Sequence, residues 1–122
     1  MKKKVLIVDD EPNILMSLEF LMKKNDFNVF IARDGSEALT IVQQENPEVI
    51  ILDIMMPNVD GYEVCQFIKK EPSLKSKVIF LSAKSKQSDI DKGYEAGADY
   101  YMTKPFSTKN IVSKVNELSI LT

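Results

Sequence analysis

The chain contains no histidine. That absence removes imidazole general bases, histidine-ligated zinc and any Ser-His-Asp triad. Whatever chemistry the chain supports must run on carboxylates, hydroxyls and lysine. Cysteine is nearly as scarce: the single Cys65, in "YEVCQFIKK", cannot close an internal disulfide, and its setting marks a buried thiol on a helix rather than a redox centre. Long apolar runs are missing too. The opening "MKKKVLIVDDE" carries three lysines before an apolar run of four residues, too short for a signal peptide or a membrane span. The expected location is therefore cytoplasmic, with no membrane partner. Nor is there a basic excess: the net charge is -2, with 44% hydrophobic and 28% charged residues, which suits an ordinary globular domain and speaks against direct nucleic-acid binding.

A length of 122 residues fits one domain, 1–122, able to bury roughly two-thirds of the surface its unfolded chain exposes. Five apolar runs rich in Val and Ile read as strands: "KVLIV" (4–8), "NVFIA" (28–32), "EVIIL" (48–52), "KVIFL" (77–81) and "DYYM" (99–102). Helical spacing links Ile14, Leu15, Leu18, Leu21 and Met22, then Ala38, Leu39 and Val42, then Val64, Phe67 and Ile68, and finally Ile111, Val112, Val115 and Leu118. Strands apolar on both faces and separated by helices imply parallel pairing with right-handed crossovers, an α/β fold of (βα)5 pattern with helices on both faces. Punctuation agrees. Pro12 suits the first turn of a helix, "DGS" (34–36) and "NVDG" (58–61) read as turns, and Ser107 is placed to cap the last helix.

In such sheets ligands bind beyond the carboxyl ends of the strands, so the residues that follow each strand belong together. They are Asp9, Asp10 and Glu11 after the first strand, Asp53 after the third, Ser82 after the fourth, and Lys104 after the fifth. If the first and third strands are neighbours, several carboxylates crowd one pocket. Each like-charge pair at about 4 Å then costs roughly 4 kcal/mol at an effective dielectric near 20. Such a cluster asks for a cation, and an all-oxygen donor set suits Mg2+. A carboxylate shielded in this way can act as a nucleophile toward a phosphoryl group, with Lys104 as the available cation and Ser82 as a hydroxyl donor.

These residues also occur in a familiar order. "LIVDDE", "LDIMMPNVDG", "FLSAK" and "GADYYMTKPF" together resemble the receiver domain of two-component response regulators, over essentially the whole chain. The resemblance implies a flavodoxin-like sheet in the order 2-1-3-4-5. It implies that Asp53 accepts a phosphoryl group, and that Mg2+ is held by Asp9, Asp10, Asp53 and the Met55 backbone carbonyl. Ser82 and Lys104 would contact the phosphoryl group, and Ser82 and Tyr101 would form the switch. The Lys104–Pro105 bond would be cis. Met55 and Lys84 stand where the family varies and tunes the phosphoryl lifetime. The donor would be a phosphohistidine on a sensor histidine kinase or a histidine phosphotransfer protein. The output would be a partner or a second copy docking on the face made by the fourth helix, fifth strand and fifth helix. On this reading the chain is a signalling phosphoacceptor, not an enzyme with a separate substrate, and it catalyses only its own phosphorylation and dephosphorylation. The exposed starting position expected for Tyr101 would become buried when the group is added.

Taken singly, each residue has a plainer reading. The acidic run favours a helix N-terminus, Ser82 bonds local backbone, Lys104 is solvated, and Tyr101 is an ordinary aromatic. Two other functions fit parts of the pattern. A metal-dependent phosphohydrolase with an Asp nucleophile requires a second carboxylate two residues on, where this chain has Met55. A non-phosphorylated pseudo-receiver that only binds a partner has no need of the intact Asp9, Asp10, Asp53 and Lys104.

Overall fold

Alternation in the strands decides the architecture. In the computed structural model, which describes residues 2–121, β1 (Lys4–Val8), β2 (Asn28–Ala32), β3 (Val49–Leu52), β4 (Lys77–Ser82) and β5 (Tyr100–Thr103) form one parallel sheet in the order β2-β1-β3-β4-β5. Successive side chains on a strand point to opposite faces. Leu6, Val8, Ile50, Leu52, Val78 and Phe80 therefore pack on one side, under α2 (Gly35–Glu45), α3 (Gly61–Lys70) and α4 (Gln87–Glu95). Val5, Ile7, Val49, Ile51, Ile79 and Leu81 pack on the other, under α1 (Pro12–Lys24) and α5 (Thr108–Ile120). The sheet is doubly wound, as the five apolar runs imply, with strand ends displaced by one residue or not at all.

The local signals act as follows. Pro12 opens α1, and Asp34, Asp60 and Ser107 cap α2, α3 and α5 by accepting the amides of Glu37, Glu63 and Asn110. One reading is corrected here: "DGS" is not a free turn but the cap and first turn of α2, because the Asp34 carboxylate takes up a helix amide that a turn would leave to water. Gly61 begins α3 against the backbone of Asp53, where a side chain would collide with the Asp53 carbonyl oxygen, so the loop after β3 can fold back tightly. Cys65 is fully buried on α3, and burial pushes its thiol up to about 12, which leaves it without thiolate reactivity. Phe67 departs from its helical set: it is 38% exposed. Among the described residues no helix is long and apolar enough to cross a membrane.

The approach to β5 is held by polar contacts. Asp99 Oδ2 accepts the Val78 amide at 2.8 Å and the Lys69 ammonium at 2.7 Å, and Lys69 also donates to the Ser76 carbonyl at 3.2 Å. Asp99→Ala would strand the amide of a fully buried residue. An unsatisfied buried donor costs about 1–3 kcal/mol, so the unfolding free energy is expected to fall by that much, seen as a lower urea midpoint with an unchanged m-value. A midpoint equal to that of the parent protein would show that water replaces the carboxylate freely.

Candidate functional site

Register brings the acidic residues together. Val8 pairs with Leu52, so the next residue on each strand, Asp9 and Asp53, leaves the sheet side by side. The Asp53 amide donates to the Val8 carbonyl at 3.0 Å and the Asp9 amide to the Ala32 carbonyl at 3.2 Å. Both carboxylates are almost fully buried, at 2% for Asp9 and 5% for Asp53, whereas Asp10 is exposed. One oxygen from each of Asp9, Asp10 and Asp53 lies within 4.8 Å of the other two.

Lys104 enters from the end of β5, held by its amide, which donates to the Ser82 carbonyl at 2.8 Å. Its ammonium donates to Asp9 Oδ2 at 2.9 Å and Glu11 Oε1 at 3.3 Å, and stands 3.7 Å from Asp53 Oδ2. Only Asp9 is bonded closely. Asp53 Oδ1 accepts the amide of Ile54 at 2.8 Å, and the charge on Oδ2 is only partly offset. The Lys104–Pro105 bond is cis.

The electrostatics follow from this placement. Burial and then the Asp9 charge raise the Asp53 pKa above the ordinary value; Lys104, the Ile54 amide and the Ser82 hydroxyl pull it back only in part. Burial draws the Lys104 ammonium down, but the Asp9 hydrogen bond and the Asp53 and Asp9 charges outweigh it, so its pKa rises and it stays protonated. Three carboxylates against one ammonium leave an anionic excess on hard oxygen donors, a donor set that fits Mg2+. A helix-capping role does not explain the cluster: the Glu11 side chain makes no cap bond, and Asp9 Oδ1 accepts the Glu11 amide at 2.9 Å instead.

Ser82 is fully buried on the α3/α4 side, where strand parity also places Tyr101. The Ser82 hydroxyl accepts the Lys84 amide at 3.2 Å, and the Tyr101 hydroxyl donates to the Lys84 carbonyl at 2.7 Å. The backbone of Lys84 thus connects the two. Tyr101 is 8% exposed, and its ring packs over Gly93, where a Cβ would stand 2.8 Å from Tyr101 Cδ2. Burial pushes its hydroxyl up to about 12. Met55 has an exposed side chain at the mouth of a cavity of about 470 Å³ that adjoins the cluster and is also lined by Asp10, Tyr62, Lys84 and Lys92.

Sequence reasoning did not find Glu11 as a second partner of Lys104, nor Gly93 and Tyr94 beside Tyr101. The first follows from the turn into α1. The second comes from a helix whose apolar pattern is too sparse to show which face it buries.

A family model described as "Response regulator receiver domain" matches residues 5–116. Among solved structures, the receiver domain of Francisella response regulator 1452 is 34% identical, with a TM-score of 0.91 over 98% of both chains. The signal receiver domain of a signal transduction histidine kinase from Syntrophus aciditrophicus is 32% identical, with a TM-score of 0.89 over 97% of this chain and 90% of that one. The BeF3-activated DrrB receiver domain is 34% identical, with a TM-score of 0.89 over 97% of both chains.

Proposed function

Because the chain belongs to the response regulator receiver domain family, a signalling module of two-component systems, we propose that it works as a phosphorylation-dependent switch with Asp53 as the phosphoacceptor. Residues 1–122 form one such domain, and it acts in the cytoplasm. The observation that carries this reading is the Asp53 carboxylate, buried beside Asp9 with the Lys104 ammonium 3.7 Å away, an ion pair longer than a hydrogen bond. A group that is both confined and only partly neutralised is poised to take a tetrahedral oxyanion group between itself and the lysine.

In the transfer, an Asp53 carboxylate oxygen attacks phosphorus while the phosphorus–nitrogen bond of a partner's phosphohistidine breaks. The imidazole leaves with the bond's electron pair and takes a proton from solvent. The partner is a sensor histidine kinase or a histidine phosphotransfer protein, a reading that fits a chain with no histidine of its own. Asp9, Asp10, Asp53 and the Met55 backbone carbonyl would hold Mg2+, which when bound would supply charge neutralisation for the incoming phosphoryl oxygens. The residues do the rest. Lys104 binds one phosphoryl oxygen and Ser82 another, and hydrolysis returns Asp53 to its free form. That a related receiver is described as BeF3-activated supports the same use of this site, since a trifluoroberyllate on a carboxylate imitates a phosphoryl group.

The output runs through Lys84. When the Ser82 hydroxyl turns toward the phosphoryl group it gives up the Lys84 amide, and the loop that also holds the Tyr101 hydroxyl is redrawn. The face made by α4, β5 and α5 then presents its docking form to an output protein or a second copy.

Incubation with acetyl phosphate and Mg2+ tests the reading: intact-mass spectrometry is expected to show one added phosphoryl group per chain. No added mass under any donor would favour a module that only binds. Lys104→Ala is expected to slow labelling roughly 10- to 100-fold, the equivalent of a charge-assisted hydrogen bond of about 1.5–3 kcal/mol. Mg2+ affinity should stay within a few-fold, because the change removes a cation that competes for Asp9. A Mg2+ affinity weakened tenfold or more, with parental labelling once Mg2+ is raised to saturation, would reverse the roles given to the two cations.

A further inference from the structure

The loop that follows Asp53 is closed on itself and propped from outside. The Gly61 amide donates to the Ile54 carbonyl at 3.0 Å, and between these two residues Met55, Pro57 and Asn58 are exposed. Asn58 takes a left-handed backbone, φ 70°, a conformation that asparagine tolerates better than most residues. Val59 follows and, with Met56, packs against the α2/α3 side of the core. There it meets α2. A Cβ at Gly35, the first residue of that helix, would collide with the Val59 carbonyl oxygen and stand 2.8 Å from the Val59 Cβ and 2.9 Å from its carbonyl carbon. Glycine thus lets a helix start and a loop touch backbone to backbone. The helix is the fixed side of this contact: Gly35, Ala38 and Val42 are buried, and the Asp34 carboxylate accepts the Glu37 amide at 2.8 Å. The exposed loop is the side that yields. With non-bonded contacts best at about 3.5–4 Å, a Cβ at position 35 would push it back by roughly 1 Å.

We propose that Gly35 is a positioning residue for the Mg2+ site, holding through Val59 the loop whose Met55 carbonyl completes the donor set of Asp9, Asp10 and Asp53. This rests on the reading of that carbonyl as a ligand. Mg2+ tolerates little departure from octahedral geometry, so a displaced loop offers a poorer ligand while the three carboxylates stay in place. Gly35 is not itself among the donors, and it acts only through the loop.

The test is isothermal titration calorimetry of the full chain with Mg2+ alone. The parent protein is compared with Gly35→Ala and with Asp99→Ala, a change at the opposite end of the sheet, before β5. Gly35→Ala is expected to weaken Mg2+ binding about tenfold, the usual effect of disturbing a group that orients a metal ligand. Asp99→Ala, destabilised far from the loop, is expected to stay within about twofold of the parent. Equal affinity in the parent and Gly35→Ala, or an equal loss in both variants, overturns the proposal. A parent that binds no Mg2+ overturns the metal site itself, and this role with it. If Gly35→Ala does not fold, Val59→Ala decides. With the side chain that seats the loop cut back, Mg2+ binding is expected to weaken about threefold, and amide exchange at Gly61 in metal-free buffer to rise by a similar factor. Either value unchanged overturns the proposal.

Discussion

Asp53→Asn is expected to reduce phosphate incorporation to background while leaving the fold intact. The amide nitrogen or neutral oxygen of asparagine is not a nucleophile toward phosphorus, so the loss should be complete rather than graded. Stability should move the other way. Asp53 is 5% exposed next to Asp9, which is 2% exposed, and its ionised form is disfavoured first by burial and then by that neighbour. Asparagine keeps the volume and removes one of the two close charges, so with divalent ions chelated a gain of about 1 kcal/mol, a few degrees in Tm, is expected. The Ile54 amide keeps an oxygen acceptor in the variant. Calorimetry and donor labelling on the same preparation check both halves. A variant that still labels at the parental rate would move the phosphoacceptor elsewhere, and one that is several kcal/mol less stable would mean that the Lys104 contact outweighs the repulsion.

Removing Mg2+ is the second change of large effect. With a chelator in excess, labelling by acetyl phosphate is expected to fall to background, because an incoming dianion meets three carboxylates and one ammonium. The same cluster should make the ion stabilising. A ligand that binds only the folded state at 100 times its Kd adds about 2.7 kcal/mol, so Tm should rise with Mg2+ concentration. Asp9→Asn and Asp10→Asn should each weaken that rise. Asp9 is the buried partner of Lys104, so its replacement should also disturb Lys104, whereas exposed Asp10 should affect Mg2+ alone. Undiminished labelling in chelator, or a Tm independent of Mg2+, would contradict an ion at this site.

Much of this was legible in the residues themselves. Strands such as "VIIL" and "KVIFLS" are apolar on both faces, which suits only a sheet covered on both sides, and the carboxylates stand at the strand ends where ligands bind. Asp34 shows why "DGS" misled: the same Asp-Gly pair that makes a turn also makes a helix cap, and only the following helix distinguishes them. α4 was the least legible element. Its sequence "QSDIDKGYE" has no apolar stripe, and Gly93 offers no side chain to count, yet its backbone is what Tyr101 packs on. A Cβ at position 93 would stand 2.8 Å from the Tyr101 ring, a contact that no periodicity in the aromatic residues can reveal. The bond from Lys104 to Glu11 is similar. It depends on the turn from β1 into α1, not on spacing along the chain.

The most direct measurement is chemical mapping of the phosphorylated residue. The protein is labelled with acetyl phosphate in Mg2+, treated with borohydride, which reduces an aspartyl phosphate to homoserine, and sequenced by peptide mass spectrometry. Homoserine at position 53, and at no other aspartate, is the expected result. Label with Asp53 recovered unchanged, or homoserine at Asp9 or Asp10, would contradict the assignment of Asp53 as the phosphoacceptor.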